Sequence, residues 1–179
     1  VQSLFHQATS SLRKALEPDL PEKFPSRYLS VEQGETRLHL PEGSRVDFEV
    51  FAQHIAEQDW QAALELYQGD LFPGNLYSDW AVEKRERLKQ DAIRAALGAA
   101  KQAMQAGEAA KALNACQRAL DLEPWQEEAV LLGMQACMAL NDRSSAIRIY
   151  KKLERALKEE LDVTPQEVVQ AYYHSLLTR

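Results

Sequence analysis

Several patterns typical of enzymes and membrane proteins are missing from this sequence of 179 residues. No apolar run approaches the ~20 residues that cross a bilayer, and the start lacks the charged-then-apolar profile of a secretion signal. The sequence has no glycine-rich phosphate loop, no histidine pair at metal-ligand spacing and no nucleophile in a recognisable turn. We therefore predict no membrane association, no catalytic residue, no bound metal and no cofactor.

Cysteine is scarce as well. Cys116 and Cys137 lie in stretches rich in Ala and Leu, with no metal-ligand spacing. This setting predicts two small buried apolar residues in a reducing compartment, and the cytoplasm is the simplest location.

Positive charge is not in excess. The net charge of −6 and the pI near 5.3 argue against a general nucleic-acid binder, which needs clustered Lys and Arg. The imbalance is uneven, because residues 1–45 hold six basic and six acidic side chains, so the acidity lies downstream. Acidic helices repel DNA and suit protein partners.

Residues 1–16 have the pattern of an amphipathic helix. Apolar residues at positions 1, 4, 5, 8, 12, 15 and 16 fall on one stripe, and the opposite face is polar. Two short alternating runs follow, 27–31 and 36–40, and they predict a β-hairpin. Such a helix can place donors against base edges, while arginines on the hairpin hold phosphates. The candidate DNA-binding residues are Gln2, Ser3, His6, Ser10, Arg13, Lys14, Arg27 and Arg37.

From residue 47 onward the pattern is almost entirely helical. Asp47, Asp59 and Asp79 are predicted to cap successive helices, and Thr164 with Glu167 forms a predicted capping box for the last one. The segment 69–75 contains Gly and Pro and predicts a packed loop whose Leu71 and Phe72 return to the core. The tryptophans, including Trp60 and Trp80, are expected to pack between helical layers.

The clearest periodicity is a self-similarity at 34 residues, which is the tetratricopeptide period. Leu97 corresponds to Leu131, and Gly107 to Asn141, where a tight turn between helices is expected. Small residues let the antiparallel helices approach closely: Ala103, Ala112, Ala119 and Ala146. The fold class predicted is mainly α, a tetratricopeptide-like repeat domain with a small N-terminal helix and β-hairpin.

These segments together resemble a known family. The strings at 11–16, 36–41 and 46–51 are similar to a response-regulator type winged helix that runs into a bacterial transcriptional activator domain, as in the antibiotic regulatory proteins. Further similar strings are 63–71, 79–81, 121–124, 146–150 and 157–165, although Asp162 stands where glycine is common. The resemblance implies that residues 1–45 are the recognition helix and wing of a DNA-binding domain and that 46–179 form the activator domain. It also implies that a strand region and two helices precede this segment in a longer regulator.

Two functions from different classes are consistent with the sequence, and a third possibility combines them, with the helical domain restraining the DNA-binding part until a partner or small ligand shifts the balance. In the first, the winged helix reads promoter DNA and the helical domain contacts RNA polymerase or a second copy of the protein. In the second, the chain is a scaffold that binds a peptide or a regulatory domain, and the helix at 1–16 only packs. Exposure of Arg13, Lys14, Arg27 and Arg37 on one face favours DNA binding; salt bridges to Glu17, Glu32 or Glu35 favour the scaffold. Because Arg13 lies off the apolar stripe, Arg13→Glu is expected to weaken DNA binding without unfolding the domain.

Overall fold

The protein is almost entirely helical, with one short hairpin. This computed structural model describes residues 2–21, 24–32, 35–75 and 79–178. Within them the elements are α1 (Gln2–Leu16), β1 (Leu29–Glu32), β2 (Glu35–Leu38), α2 (Asp47–Glu57), α3 (Trp60–Leu66), a 3-10 turn (Pro73–Asn75), α4 (Asp79–Gln105), α5 (Ala109–Leu122), α6 (Glu127–Ala139), α7 (Arg143–Glu160) and α8 (Glu167–Leu177). The predicted fold class is confirmed.

The chain divides into two compact units, Val1–Val46 and Asp47–Arg179. In the N-terminal unit, β1 and β2 pair antiparallel, from Leu29 opposite Leu38 to Glu32 opposite Glu35. The strands are thus shorter than the predicted runs 27–31 and 36–40, and the turn at 33–34 lies outside the described residues. The pairing continues by one hydrogen bond, from the His39 amide to the Tyr28 carbonyl at 2.7 Å.

The helical unit is a stack of antiparallel helix pairs. α2 pairs with α3, α4 with α5 and α6 with α7, while α8 packs against α6 and α7. The 34-residue period corresponds to the C-terminal half of α4 with α5, followed by α6 with α7. The turns inside these two pairs have left-handed residues at equivalent positions, Gly107 at φ 74° and Asn141 at φ 58°. The tetratricopeptide-like arrangement predicted from the period is therefore present.

Alanines line the contacts between α4, α5 and α6. Ala100, Ala112, Ala119 and Ala136 have no exposed surface, and their small side chains let the helix backbones approach closely. Larger side chains fill the two ends of the stack, around Phe51 and Leu64 at one end and around Met134, Leu153 and Tyr173 at the other. The predicted burial of Ala103, Ala112, Ala119 and Ala146 is confirmed.

Of the predicted helix caps, Asp59 is confirmed and Thr164 is wrong. Asp59 accepts a hydrogen bond from the Ala62 amide at 3.4 Å, while Asp47 and Asp79 are themselves the first residues of α2 and α4. Asp142, which was not predicted as a cap, accepts a hydrogen bond from the Ser145 amide at 3.0 Å. α8 begins only at Glu167, so Thr164 does not cap it. The Gln166 amide at that end instead donates to the Glu127 carboxylate, at 2.6 Å. Glu127 lies 39 residues away in sequence, so the local capping-box motif at 164–167 could not predict this contact.

The loop at 69–75 and the tryptophans depart in part from prediction. Leu71 packs against the core, but Phe72 is 48% exposed and its ring lies 5.2 Å from that of Trp80. Trp80 is itself 70% exposed, so it is a surface residue rather than a core residue. Trp60 packs against the core, as predicted.

Both cysteines are buried, as the sequence indicated. Burial raises the pKa of the Cys116 thiol to about 12, and burial also raises the pKa of Cys137. Thiols with raised pKa values are poor nucleophiles and poor metal ligands. Both residues act here as small apolar side chains.

Candidate nucleic-acid interface and protein-binding groove

The polar face of α1 holds most of the residues predicted to contact DNA. His6, Ser10 and Lys14 are exposed, while Arg13 is only partly exposed. One terminal guanidinium nitrogen of Arg13, Nη2, is buried and has no hydrogen-bond partner in the part of the chain that the structure describes. Gln2 and Ser3 lie in α1, but the structure does not describe their side chains. Arg13 is therefore less accessible than its place on the polar face of the helix predicted.

A buried carboxylate joins the end of α1 to the segment before β1. The Glu17 side chain is only 2% exposed and accepts hydrogen bonds from the Ser26 hydroxyl and the Arg27 amide. The Arg27 Nε also donates to Glu17, at 3.1 Å. The hydroxyl of Ser26 lowers the pKa of Glu17 most, burial opposes this, and Arg27 lowers it further. Glu17 thus fixes the position of Arg27 beside the helix.

Sequence reasoning named Glu17 only as a possible partner and missed its central position. A signal was present: Glu17 follows Arg13 by four residues and so continues the polar face of the helix. Ser26 carried no signal of its own, because its role depends on the chain folding back by nine residues.

The two hairpin arginines are both in ion pairs. Arg27 pairs with Glu17 as described, although its side chain stays 77% exposed, and this pairing raises its pKa. Arg37 pairs with Glu35 at 3.4 Å, and both of these side chains are more than two-thirds exposed. An exposed ion pair of this kind is weak, so Arg37 can exchange its partner for a phosphate. Of the four basic residues used to discriminate the two functions, only Lys14 is exposed without an ion pair among the described residues.

The apolar stripe of α1 is largely uncovered. Leu4 is 71% exposed, Leu12 is 48% exposed and Leu16 is 41% exposed. The predicted amphipathic pattern is therefore present in the helix, but these leucines are not core residues here.

The helical unit contains a groove of about 620 Å³ along one face of α4. Gln90, Arg94, Lys101 and Gln105 of α4 line its base, at spacings of four and seven residues that place side chains on one helix face. The start of α3 forms one wall, and the residues around the start of α6 form the other. Lys101 crosses the groove to Glu128, at 2.7 Å. The lining is mixed: Trp60, Ile93 and Leu97 give it apolar surface, and its glutamine amides can donate to and accept from a peptide backbone.

Close packing of a glycine against a tryptophan shapes this groove. A Cβ at Gly98 would lie 2.5 Å from Cε2 of the Trp60 ring, which is too close for two carbon atoms. Gly98 therefore allows α3 to approach α4 with the indole flat against the helix. This contact could not be predicted from the sequence, because a glycine inside a helical pattern has several explanations.

The described residues contain no group of three or more His, Cys, Asp or Glu side chains that could hold a metal ion. None of their helices is both long enough and apolar enough to cross a membrane.

The comparisons identify the family. The family model described as "Bacterial transcriptional activator domain" matches residues 44–177. The match covers most of the helical unit, and the chain belongs to the bacterial transcriptional activator domain family. The resemblance seen in the sequence is confirmed for this part, while the winged helix that was expected before it stays a prediction.

One solved structure shows the same fold over nearly the whole chain. It is "Mycobacterium tuberculosis EmbR in complex with low affinity phosphopeptide", with a TM-score of 0.67 and 18% sequence identity. The match covers 99% of this chain and 50% of the EmbR chain, so this chain spans about half the length of EmbR. At this identity the similarity concerns the fold alone. No curated protein sequence matches the chain.

Proposed function

We propose that this chain is part of a bacterial transcriptional regulator whose helical unit binds a protein partner in the groove along α4. Family membership supports the regulatory role, and the groove is the observation that supports the protein contact. Its glutamine side chains suit an extended segment of RNA polymerase or of a second copy of the regulator. No step of this function requires a cofactor, and a regulator of promoters works in the cytoplasm.

The groove can be tested by direct binding. Gln90→Ala with Gln105→Ala removes two amides from the groove, and we expect about tenfold weaker binding of purified bacterial RNA polymerase by the complete regulator. The matched control is Gln61→Ala with Gln117→Ala, which removes two exposed glutamines that do not line the groove. Equal loss in both double variants, or no loss in either, contradicts the proposed location. Self-association of the same variants, measured by sedimentation, tests a second copy as the partner.

We further propose that residues 1–45 contact promoter DNA as the recognition helix and wing of a winged-helix domain, with residues 46–179 as the activator domain. The exposed polar face of α1 supports this contact, because His6, Ser10 and Lys14 present donors on one side of the helix. A selection from random duplex DNA by the complete protein, at near-physiological salt, tests it. Enrichment of a repeated half-site supports a dimeric or tandem reader, and no enrichment contradicts DNA reading.

A specific observation favours the second function, a scaffold without DNA contact. Arg27 is held by Glu17 and Arg37 by Glu35, so ion pairs reduce the positive field around the hairpin. If the DNA selection yields no site while the groove variants lose the protein partner, the chain acts as a scaffold for a peptide or a regulatory domain.

A further inference from the structure

A second cavity, separate from the groove, lies at the start of the helical unit. Its volume is about 630 Å³, within the range of small-molecule sites in proteins. It lies between the first turns of α2, the segment 66–73 and one residue of α4. Its apolar wall is formed by Phe48, Phe51, Leu66, Leu71, Phe72 and Leu88.

The charged side chains that line the cavity are both acidic. Asp47 and Asp70 line the cavity and are exposed, whereas no lysine or arginine is among the described residues that line it. Asp47 uses one carboxylate oxygen to accept from the Phe48 amide, at 2.8 Å. Two carboxylates beside an apolar cavity favour a cation and disfavour an anion.

The nearby cations are turned to other partners. Lys84 Nζ lies 4.6 Å from the centre of the Phe48 ring, and the Arg85 Nε donates to the Leu71 carbonyl at 3.1 Å. The contact of Lys84 also shows that an aromatic ring of this wall can accept a cation on its face.

The negative field reaches into the wall of the cavity. Burial raises the pKa of the Tyr67 hydroxyl most, and the charges of Asp70 and Glu86 raise it further. The Tyr67 ring lines the same cavity and lies 5.9 Å from the Phe51 ring. The cavity therefore combines aromatic surface with two carboxylates at its edge, Asp47 and Asp70, an arrangement that suits amphiphilic cations.

We propose that this cavity binds a small cationic molecule whose aromatic or branched aliphatic body contacts Phe51 and Leu88 and whose ammonium group faces Asp47 and Asp70. Such a site makes the regulator responsive to a small metabolite, which goes beyond the proposed contacts with DNA and with a protein partner. It depends neither on DNA contact nor on the groove along α4.

A matched pair of probes tests the chemical class. 2-(2-Naphthyl)ethylamine and 2-naphthylacetate share a ring system and differ in the sign of their charge at pH 7. We expect the amine to bind about tenfold more tightly than the carboxylate at low ionic strength. Amide chemical shifts in two-dimensional NMR spectra should change in residues 47–51, 67–72 and around Leu88. Absence of saturable amine binding, equal binding of the two probes, or shifts that map to the α4 groove would overturn the proposal.

Charge variants locate the site independently. Asp47→Asn with Asp70→Asn should remove most of the preference for the amine, and asparagine at 47 keeps an acceptor for the Phe48 amide. The control, Glu159→Gln with Asp162→Asn, removes the same charge at the end of α7 and should keep the preference. A preference that survives in the first pair, or that is lost equally in both, contradicts this site. Leu66→Phe, at a partly exposed position of the wall, should weaken the binding of both probes, because the larger side chain fills part of the cavity.

Discussion

At the residue scale, the most consequential side chain in the N-terminal unit is a buried carboxylate. Glu17 accepts hydrogen bonds from Ser26 and from both the backbone and the side chain of Arg27. A carboxylate with several donors is stabilised in its ionised form, which is the reason for its lowered pKa.

This gives a pH prediction. Because the pKa of Glu17 in the folded unit lies below its ordinary value of 4.5, its stabilising effect is fully present above 4.5. The effect is lost as the pH falls through the lowered pKa. We expect the protection factors of the amides of residues 26–29, which compare the observed exchange rate with the intrinsic rate at the same pH, to fall below pH 4.5 in the native chain. In Glu17→Gln these protection factors should be lower already at pH 7 and should change less on acidification. An unchanged acid response in Glu17→Gln would assign the effect to other carboxylates.

A second residue-scale prediction concerns Gly98. Gly98→Ala places a methyl group against the Trp60 ring, so α3 must move away from α4. We expect a loss of about 1–3 kcal/mol in unfolding free energy, reduced by the better helix propensity of Ala. Gly74→Ala is the control, because a Cβ there meets no atom within 4 Å. Chemical denaturation followed by circular dichroism measures both, and equal stability of the two variants would contradict the contact.

At the element scale, the helix ends show which structural roles could be predicted from neighbouring residues alone. Asp59 and Gly107 fulfil their predicted roles because each depends on neighbours within a few residues. Thr164 does not, because the donor at the start of α8 is satisfied by Glu127, 39 residues away. Asp162 replaces a glycine common in the family at a residue with φ 54°, a left-handed conformation that Asp tolerates better than most residues.

The residues of the candidate sites divide in the same way, into those predictable from neighbouring residues and those that depend on contacts with distant segments. The polar face of α1 could be read from its period, since helical spacing is a local property. The partners of Arg27, the contact of Gly98 with Trp60 and the cavity beside Phe51 all depend on segments that meet only after folding. The partial covering of the Arg13 guanidinium belongs with them, because periodicity places a residue on a face but does not say what covers that face.

The prediction at this scale concerns the start of α7. Hydrogen bonds from the Ser145 hydroxyl, the Ser145 amide and the Ser144 hydroxyl lower the pKa of Asp142 to about 2. Its capping effect is therefore fully present above the ordinary value of 3.8 and is lost as the pH falls through about 2. Asp142→Ala should lower the melting temperature at pH 7 by about 3 °C, while Asp142→Asn, which retains an acceptor, should lower it less. Equal losses in both variants would show that charge, and not capping, is the main contribution.

At the scale of the whole molecule, the charge is distributed unevenly between the N-terminal segment and the helical unit. The net charge of −6 lies downstream of residue 45, while the N-terminal segment is balanced. Contact with DNA therefore has to come from a few positions, and its strength should depend on salt only modestly.

This distribution gives a salt prediction. Lys14→Ala in the complete regulator should reduce the slope of log affinity against log salt concentration by about one, the value expected for one lost phosphate contact. Lys111→Ala, in the helical unit, is the control and should leave the slope unchanged. Arg13→Glu is less suitable for this purpose, because part of its guanidinium is buried and the substitution also destabilises the unit. The same slope in Lys14→Ala and the native protein would remove Lys14 from the DNA contact.

The three tryptophans of the chain give it a set of built-in optical reporters. Trp80 is 70% exposed beside Phe72, Trp60 lies under the groove of α4, and the Trp125 indole donates to Glu123 at 2.7 Å. A collisional quencher such as acrylamide will therefore extinguish Trp80 first, and the emission that remains will come mainly from the other two rings. With Trp80 and Trp125 both replaced by Phe, Trp60 is the remaining tryptophan, and occupation of the groove can be followed through its fluorescence without attaching a dye.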